Sequence, residues 1–334
     1  MLQSLKKIII RLLLIVNKSN WVENKPKVLI QTNKFGFSKE KWERVLSEDK
    51  SFREQFEVQF SQSKIEFIKL SEEANIIFCF GQNPNVNWNR ESLKLVYFGL
   101  NGIEFLDKTK FHQHTIIDYV KGFAAEPIAE YVLSTVLLLN RKLTTVFYNK
   151  LSKNWNQKEI ISDTYIPIKE KVVGVLGVGI IGSVVAEKFS NIGCKVYGYD
   201  IAISSTNKYI DEWFSNESVN SFIKEVDVLI ITLPLNSNTL GLLNSERLGL
   251  LKKRAIIVNV SRSEILDQKA LIKRIKRDDL YAVLDVFDKE PLSKNNKLWG
   301  EENVILTPHI AGNVNIIAEE VQIDFINKCK KTDV

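Results

Sequence analysis

Apolar residues in this chain fall into short continuous runs, and the segments between the runs carry apolar positions at helical spacing. Lys27 to Gln31 reads as a first strand, and the chain from Ser38 onward reads as helix. Ile76 to Phe80 and Leu93 to Phe98 are apolar runs ending at Gly81 and Gly99. A long, mostly apolar helix is expected from about Glu126 to Lys150. A second series opens with Val172 to Leu176 and continues with Val228 to Thr232, Ala255 to Val260, Tyr281 to Asp285 and Val304 to Leu306. Asp267 is placed to cap a helix over Gln268 to Arg277, and a final helix is expected over Val314 to Lys330. Strands alternating with helices at this spacing point to an α/β chain with parallel sheets.

One stretch of the pattern carries chemistry. Val172 to Leu176 runs into Gly177, Gly179 and Gly182, then a helix-like segment, a second apolar run and Asp200. Gly177 permits a tight strand-to-helix turn, Gly179 lets a pyrophosphate approach the backbone, and Gly182 lets the helix pack close to the strand. The unpaired N–H groups of the helix N-terminus suit phosphate. Asp200, at the end of the second run, is placed to accept hydrogen bonds from a ribose, which favours NAD over NADP.

Composition narrows the class. A chain of 334 residues with 45% hydrophobic and 26% charged residues is long enough for two globular domains. The net charge of +6 is concentrated at one end. Lys6, Lys7, Arg11, Lys18, Lys25 and Lys27 against Glu23 make +5, which leaves +1 for the rest. A nucleic-acid groove needs a clustered basic face, and this distribution argues against one. Residues 1–25 read as a basic amphipathic extension. Leu5, Ile8, Ile9, Leu12 and Val16 share a helical face that would pack on its own protein, on a partner subunit or on a membrane surface. The apolar stretch is too short to span a bilayer. Cys79, Cys194 and Cys329 have no metal-ligand spacing, so free thiols in a reducing cytoplasm and no metal centre are expected.

Three strand ends hold candidate reactive groups. His309 follows Val304 to Leu306 and is suited to acid–base work, with a structural loop histidine as the alternative. Arg262 ends the run Ile256 to Val260, where a guanidinium could clamp a carboxylate or form a surface ion pair. Asp285 and Glu290 follow Tyr281, and a carboxylate beside an imidazole favours its charged form and fixes its tautomer.

These motifs, in this order, resemble the D-isomer-specific 2-hydroxyacid dehydrogenase family, which includes glycerate, phosphoglycerate and glyoxylate/hydroxypyruvate reductases. The resemblance runs from about Leu93 to Gly312. It rests on VLGVGIIG, Thr232 to Asn244, Asn259 to Leu271, AVLDVFDKEPL, Leu298 to Gly312, and Ala124 to Ser134 as an interdomain helix. It implies two Rossmann-like domains with parallel sheets, the cofactor domain inserted into a discontinuous substrate domain. The NAD-binding domain would span 122–310, and a flavodoxin-like substrate domain 26–121 and 311–334, with NAD and a 2-oxo or 2-hydroxy acid in a cleft between them. It further implies that Arg262 binds the substrate carboxylate, His309 exchanges the proton and Glu290 holds His309. Asp285 would contact the nicotinamide carboxamide, Ile180 and Ile181 would face the pyrophosphate, and Thr232, Leu233 and Val260 would line the cofactor. Asn101, Gly102 and Ile103 would form the substrate loop, and the chain would form a homodimer. Ser263 replaces the usual glycine after the arginine, and the loop reads Leu-Asn-Gly-Ile-Glu where Ala/Ser-Gly-Val-Asp is common. A catalytically quiet NAD-sensing protein, similar to the family's corepressors, is the alternative.

Overall fold

The computed structural model describes residues 25–34, 36–162, 166–201, 207–277, 279–312 and 314–334. The amphipathic segment expected at 1–25 lies outside the described residues, Lys25 apart. The chain divides into two compact units. The first takes the residues up to Gly99, Asp107–Asp118 and Gln322–Val334, and the second takes Leu100–Leu106 and Tyr119–Val321.

The first unit is built on strands β1 (Lys27–Gln31), β2 (Glu57–Ser61), β3 (Ile76–Cys79), β4 (Leu95–Phe98) and β5 (Ile116–Tyr119). Their order in the sheet is β2-β1-β3-β4-β5, and β1 pairs in parallel with both β2 and β3. This is the flavodoxin-like order. Helices α1 (Lys39–Glu48), α2 (Lys50–Gln55) and α3 (Lys64–Ser71) connect the early strands. Ser38, Asp49 and Ser63 each accept a bond from a first-turn amide, which fixes where these helices begin. The core is aromatic. Trp42 of α1 packs edge-on against Phe78 of β3 at 5.0 Å between ring centroids, and Phe325 lies 5.2 Å from Phe78. Tyr97 donates its buried hydroxyl to Asp324 at 2.8 Å.

The helices of the second unit start with α4 (Ala125–Asn140), α5 (Leu143–Leu151) and α6 (Gln157–Ser162). The βαβ series follows: β6 (Val172–Leu176), α7 (Ile180–Asn191), β7 (Lys195–Tyr199), β8 (Glu212–Phe214), α8 (Val219–Glu225), β9 (Val228–Ile231) and α9 (Ser245–Leu250). It continues with β10 (Ala255–Asn259), α10 (Gln268–Ile275), β11 (Leu280–Leu284), β12 (Val304–Leu306) and α11 (Val314–Lys331), whose residues from Gln322 on belong to the first unit. The seven strands lie in the order β12-β11-β10-β9-β6-β7-β8, paired in parallel. The order reverses between β6 and β9, which is the Rossmann switch point, and ligands of such sheets bind beyond the strand ends there. β9 and β10 are buried along their whole length, as central strands covered on both faces must be.

Two expectations need correction. The helix expected over Glu126 to Lys150 is two helices. Lys142 adopts φ +53° between them, and the amides of Arg141 and Lys142 turn back to the carbonyls of Leu137 and Leu139. The apolar pattern continues through this break, but its Leu143, Phe147 and Leu151 are exposed, so periodicity there does not report a core face. The run Leu93 to Phe98 pairs as a strand only from Leu95, since Leu93 closes a turn onto the carbonyl of Arg90. Other expected elements end within two residues of those observed. Among the described residues no helix is long and apolar enough to cross a membrane.

Candidate active site

The candidate residues of the second unit sit just beyond the C-terminal ends of its parallel strands. Gly177 follows β6, Asp200 follows β7, Thr232 and Leu233 follow β9, Val260 and Arg262 follow β10, Asp285 follows β11, and His309 lies beyond β12. The glycine turn is built from close contacts. Gly177 takes φ +102°, and a Cβ on Gly182 would fall 2.0 Å from the carbonyl oxygen of Gly177. Only glycines allow α7 to start this near the strand. Thr232 Oγ1 donates to that same carbonyl at 2.6 Å and Leu233 is buried against Gly177, so these two support the turn from beneath.

A dinucleotide fits this turn. The N-terminus of α7 has no side-chain cap at Gly179. A Cβ on Gly179 would meet no protein atom within 4 Å, and the Ile180 side chain beside it is exposed. The first amides of α7 therefore have no internal acceptor from a capping side chain, which suits an anion from outside. Asp200 accepts from the amide of Val178 at 2.8 Å through Oδ2, which holds its carboxylate against the glycine turn at the edge where a ribose would lie. Among the described residues no cluster of His, Cys, Asp and Glu could hold a metal ion.

The histidine is held by a second arrangement. Asp285 is 1% exposed, and its carboxylate organises the segment after β12. Oδ1 accepts from Thr307 Oγ1 at 2.5 Å and from the amide of Ile310 at 2.9 Å, while Oδ2 accepts from the amide of Ala311 at 2.9 Å. The Asp285 carbonyl accepts from the amide of His309 at 2.9 Å. Inside this loop His309 adopts φ +54°, a left-handed conformation that costs a residue with a side chain about 1–2 kcal/mol. Tyr131 of α4 adds a bond of 2.6 Å to Thr307 Oγ1, and burial pushes its phenol up to about 12. His309 Nδ1 lies 3.0 Å from Glu290 Oε2, and Glu290 Oε1 accepts from the amide of Phe287 at 3.1 Å. Glu290 thereby fixes the ring through Nδ1. His112 and His114 belong to the first unit, with ring centroids 5.3 Å apart.

Arg262 closes the set. Its Nη1 donates to the Ser261 carbonyl at 2.8 Å, and its Nη2 donates to the Asn101 carbonyl at 3.3 Å. Glu104 pairs with Nη2 at 3.2 Å. The geometry thus brings together His309 with Glu290, and Arg262 with the Asn101-Gly102-Ile103 loop. The Asp285 carboxylate, which the resemblance places against the nicotinamide, also accepts bonds on both oxygens from the His309 loop. Tyr131, Thr307 and Glu104 join the site without a sequence expectation. The threonine of the Thr-Pro-His triplet was the one visible signal among these.

The D-isomer specific 2-hydroxyacid dehydrogenase, NAD binding domain, matches residues 133–311. A glyoxylate reductase of Thermofilum pendens is 29% identical over 218 residues, which cover 64% of this chain and 63% of that protein. The match therefore spans just under two thirds of that relative's length. The fold is similar to a D-isomer specific 2-hydroxyacid dehydrogenase from Xanthobacter autotrophicus in complex with NADPH and MES (TM-score 0.74, 23% identity, 91% of this chain and 95% of that one). It is also similar to the NAD-complexed form of the enzyme from Lactobacillus delbrueckii (TM-score 0.71, 21% identity, 91% and 98%). The family match covers more than half of the residues, and the chain belongs to the D-isomer specific 2-hydroxyacid dehydrogenase family.

Proposed function

We propose that this chain is an NAD-dependent 2-hydroxyacid dehydrogenase that works as a 2-oxoacid reductase. The observation that carries the reading is the His309–Glu290 pair, held in a strained loop at a strand end of the same unit that holds the glycine turn and Arg262. A bound nicotinamide dinucleotide supplies or accepts the hydride at C2 of the acid. Arg262 binds the carboxylate, and the backbone of Asn101, Gly102 and Ile103 adds amides to it. His309 gives a proton from Nε2 to the carbonyl oxygen in reduction and takes it back in oxidation. Glu290 keeps the ring oriented through Nδ1. Arg262 also opposes the negative charge that develops on the oxygen.

The second unit is the cofactor domain in this reading, and the first is the substrate domain. Asp200 selects NAD, because its carboxylate would repel the 2′-phosphate of NADP. A homodimer is the assembly we infer. Leu143, Phe147 and Leu151 of α5, with Trp155 after it, leave apolar side chains exposed in the second unit, and burying them favours association. The cysteines Cys79, Cys194 and Cys329 are free and buried, which is consistent with a cytoplasmic protein.

The test is oxidation of NADH and of NADPH by the purified protein against a panel of small 2-oxo acids, with His309→Ala alongside. We expect turnover of at least one acid, a preference for NADH, and loss of most activity in the variant. Binding of NADH without turnover of any acid would overturn the enzymatic reading. Equal use of the two cofactors would remove the role given to Asp200.

A further inference from the structure

The guanidinium assigned to the substrate is already engaged by a carboxylate of the chain itself. Glu104 Oε2 lies 3.2 Å from Arg262 Nη2, and each side chain of the pair is 30% exposed. The pair lies directly over Gly102, the centre of the substrate loop. A Cβ on Gly102 would come within 2.5 Å of Arg262 Nη2 and 2.7 Å of Glu104 Oε2, and its φ of +131° suits only a residue without one. Guanidinium, internal carboxylate and loop backbone therefore share one small volume.

A planar guanidinium offers a carboxylate two paired faces, Nε with Nη2 and Nη1 with Nη2. Nη2 belongs to both. In this structure Nη2 is taken by Glu104 and the Asn101 carbonyl, and Nη1 by the Ser261 carbonyl. An incoming carboxylate that seeks a two-bond contact meets the charge of Glu104 on either face.

We propose that Glu104 is an internal competitor for the substrate carboxylate at Arg262 and so sets the affinity for the 2-oxo acid. The inference rests on the reading of Arg262 as the substrate clamp. Its consequence is selectivity. A ligand with a carboxylate exchanges like for like with Glu104, whereas an aldehyde or ketone without one cannot displace it. An ion pair this exposed to solvent corresponds to a competition of about 1.5- to 5-fold.

The experiment compares the wild type with Glu104→Gln, Glu104→Ala and Arg262→Gln. Two quantities are read: KM for glyoxylate with NADH, and Kd by calorimetry for oxamate, a carboxylate analogue that accepts no hydride. Both Glu104 variants should lower KM and Kd by about 1.5- to 5-fold, alanine at least as much as glutamine. Arg262→Gln should weaken oxamate binding by more than about tenfold. If Arg262→Gln leaves oxamate binding unchanged, the clamp reading fails and this proposal falls with it. If Arg262→Gln weakens binding but the Glu104 variants leave it unchanged or weaken it as well, the competitor proposal alone is refuted.

Discussion

Asp285→Asn separates two roles for one buried carboxylate. The side chain is 1% exposed and accepts from Thr307 Oγ1, Ile310 N and Ala311 N. Asparagine is nearly the same size, but one of its oxygens becomes an NH2 group. In one orientation that group faces the amide of Ala311, and in the other it faces the amide of Ile310. Each orientation sets donor against donor at a separation that is now 2.9 Å. Losing one N–H bond to a carboxylate and leaving the amide buried costs about 2–4 kcal/mol. The left-handed conformation of His309 works in the same direction, since its strain of about 1–2 kcal/mol is held in check by this loop. We expect Tm to fall by roughly 3–6 °C. We also expect kcat to fall at least about tenfold, because the loop that presents His309 relaxes. Thermal unfolding by circular dichroism and steady-state NADH oxidation measure the two. An unchanged Tm together with a raised KM for NADH alone would refute the argument and return Asp285 to a direct contact with the cofactor.

Two further outcomes follow from close contact and from burial. Gly182→Ala places a methyl 2.0 Å from a backbone carbonyl that Thr232 also holds, so α7 must shift. Stability should fall by about 1–3 kcal/mol and NADH fluorescence titration should show weakened binding, while a melt identical to wild type would contradict the packing described. Burial pushes the thiol of Cys79 up to about 12 and that of Cys194 up to about 11, from an ordinary 9.0. A thiol reagent at pH 8 should therefore find no reactive cysteine in the native protein and all three after unfolding. Because the folded values lie above the unfolded ones, this contribution to stability is intact below about pH 9 and lost as pH rises toward 11–12. A denaturation midpoint that rises over that range would reverse the sign and refute the assignment.

The central strands were legible because both of their faces are covered and the sequence must be apolar throughout, as in Ile76–Cys79 and Val228–Ile231. The edge strands β2, β5 and β8 were missed for the converse reason. Glu57 and Gln59, Asp118, and Glu212 interrupt their patterns; Glu57 and Glu212 meet solvent as edge residues do, and Asp118 is buried in an ion pair with Lys328. The break at Lys142 was invisible because Leu143 prolongs the apolar spacing across it. In the site, Gly177, Asp200 and Asp285 were legible because a glycine or a carboxylate directly ends the apolar run before each. Glu104 and Tyr131 were not found. Their partners lie 158 and 176 residues away in the chain, and no local pattern records such a meeting.

The aromatic core of the first unit has a consequence for the order of events on the ribosome. Tyr97 and Asp324, which share a hydrogen bond, are 227 residues apart, and Phe325 fills the space between Trp42, Phe78 and Tyr97. The segment translated first thus waits for Gln322 onward before its interior is closed, and the Rossmann sheet of the second unit is fully translated in the interval. At about 5–20 residues per second this wait lasts roughly 10–45 seconds, during which exposed aromatic strands need protection. Chaperone dependence of the nascent chain, rather than the stability of the finished protein, is where this topology should limit yield.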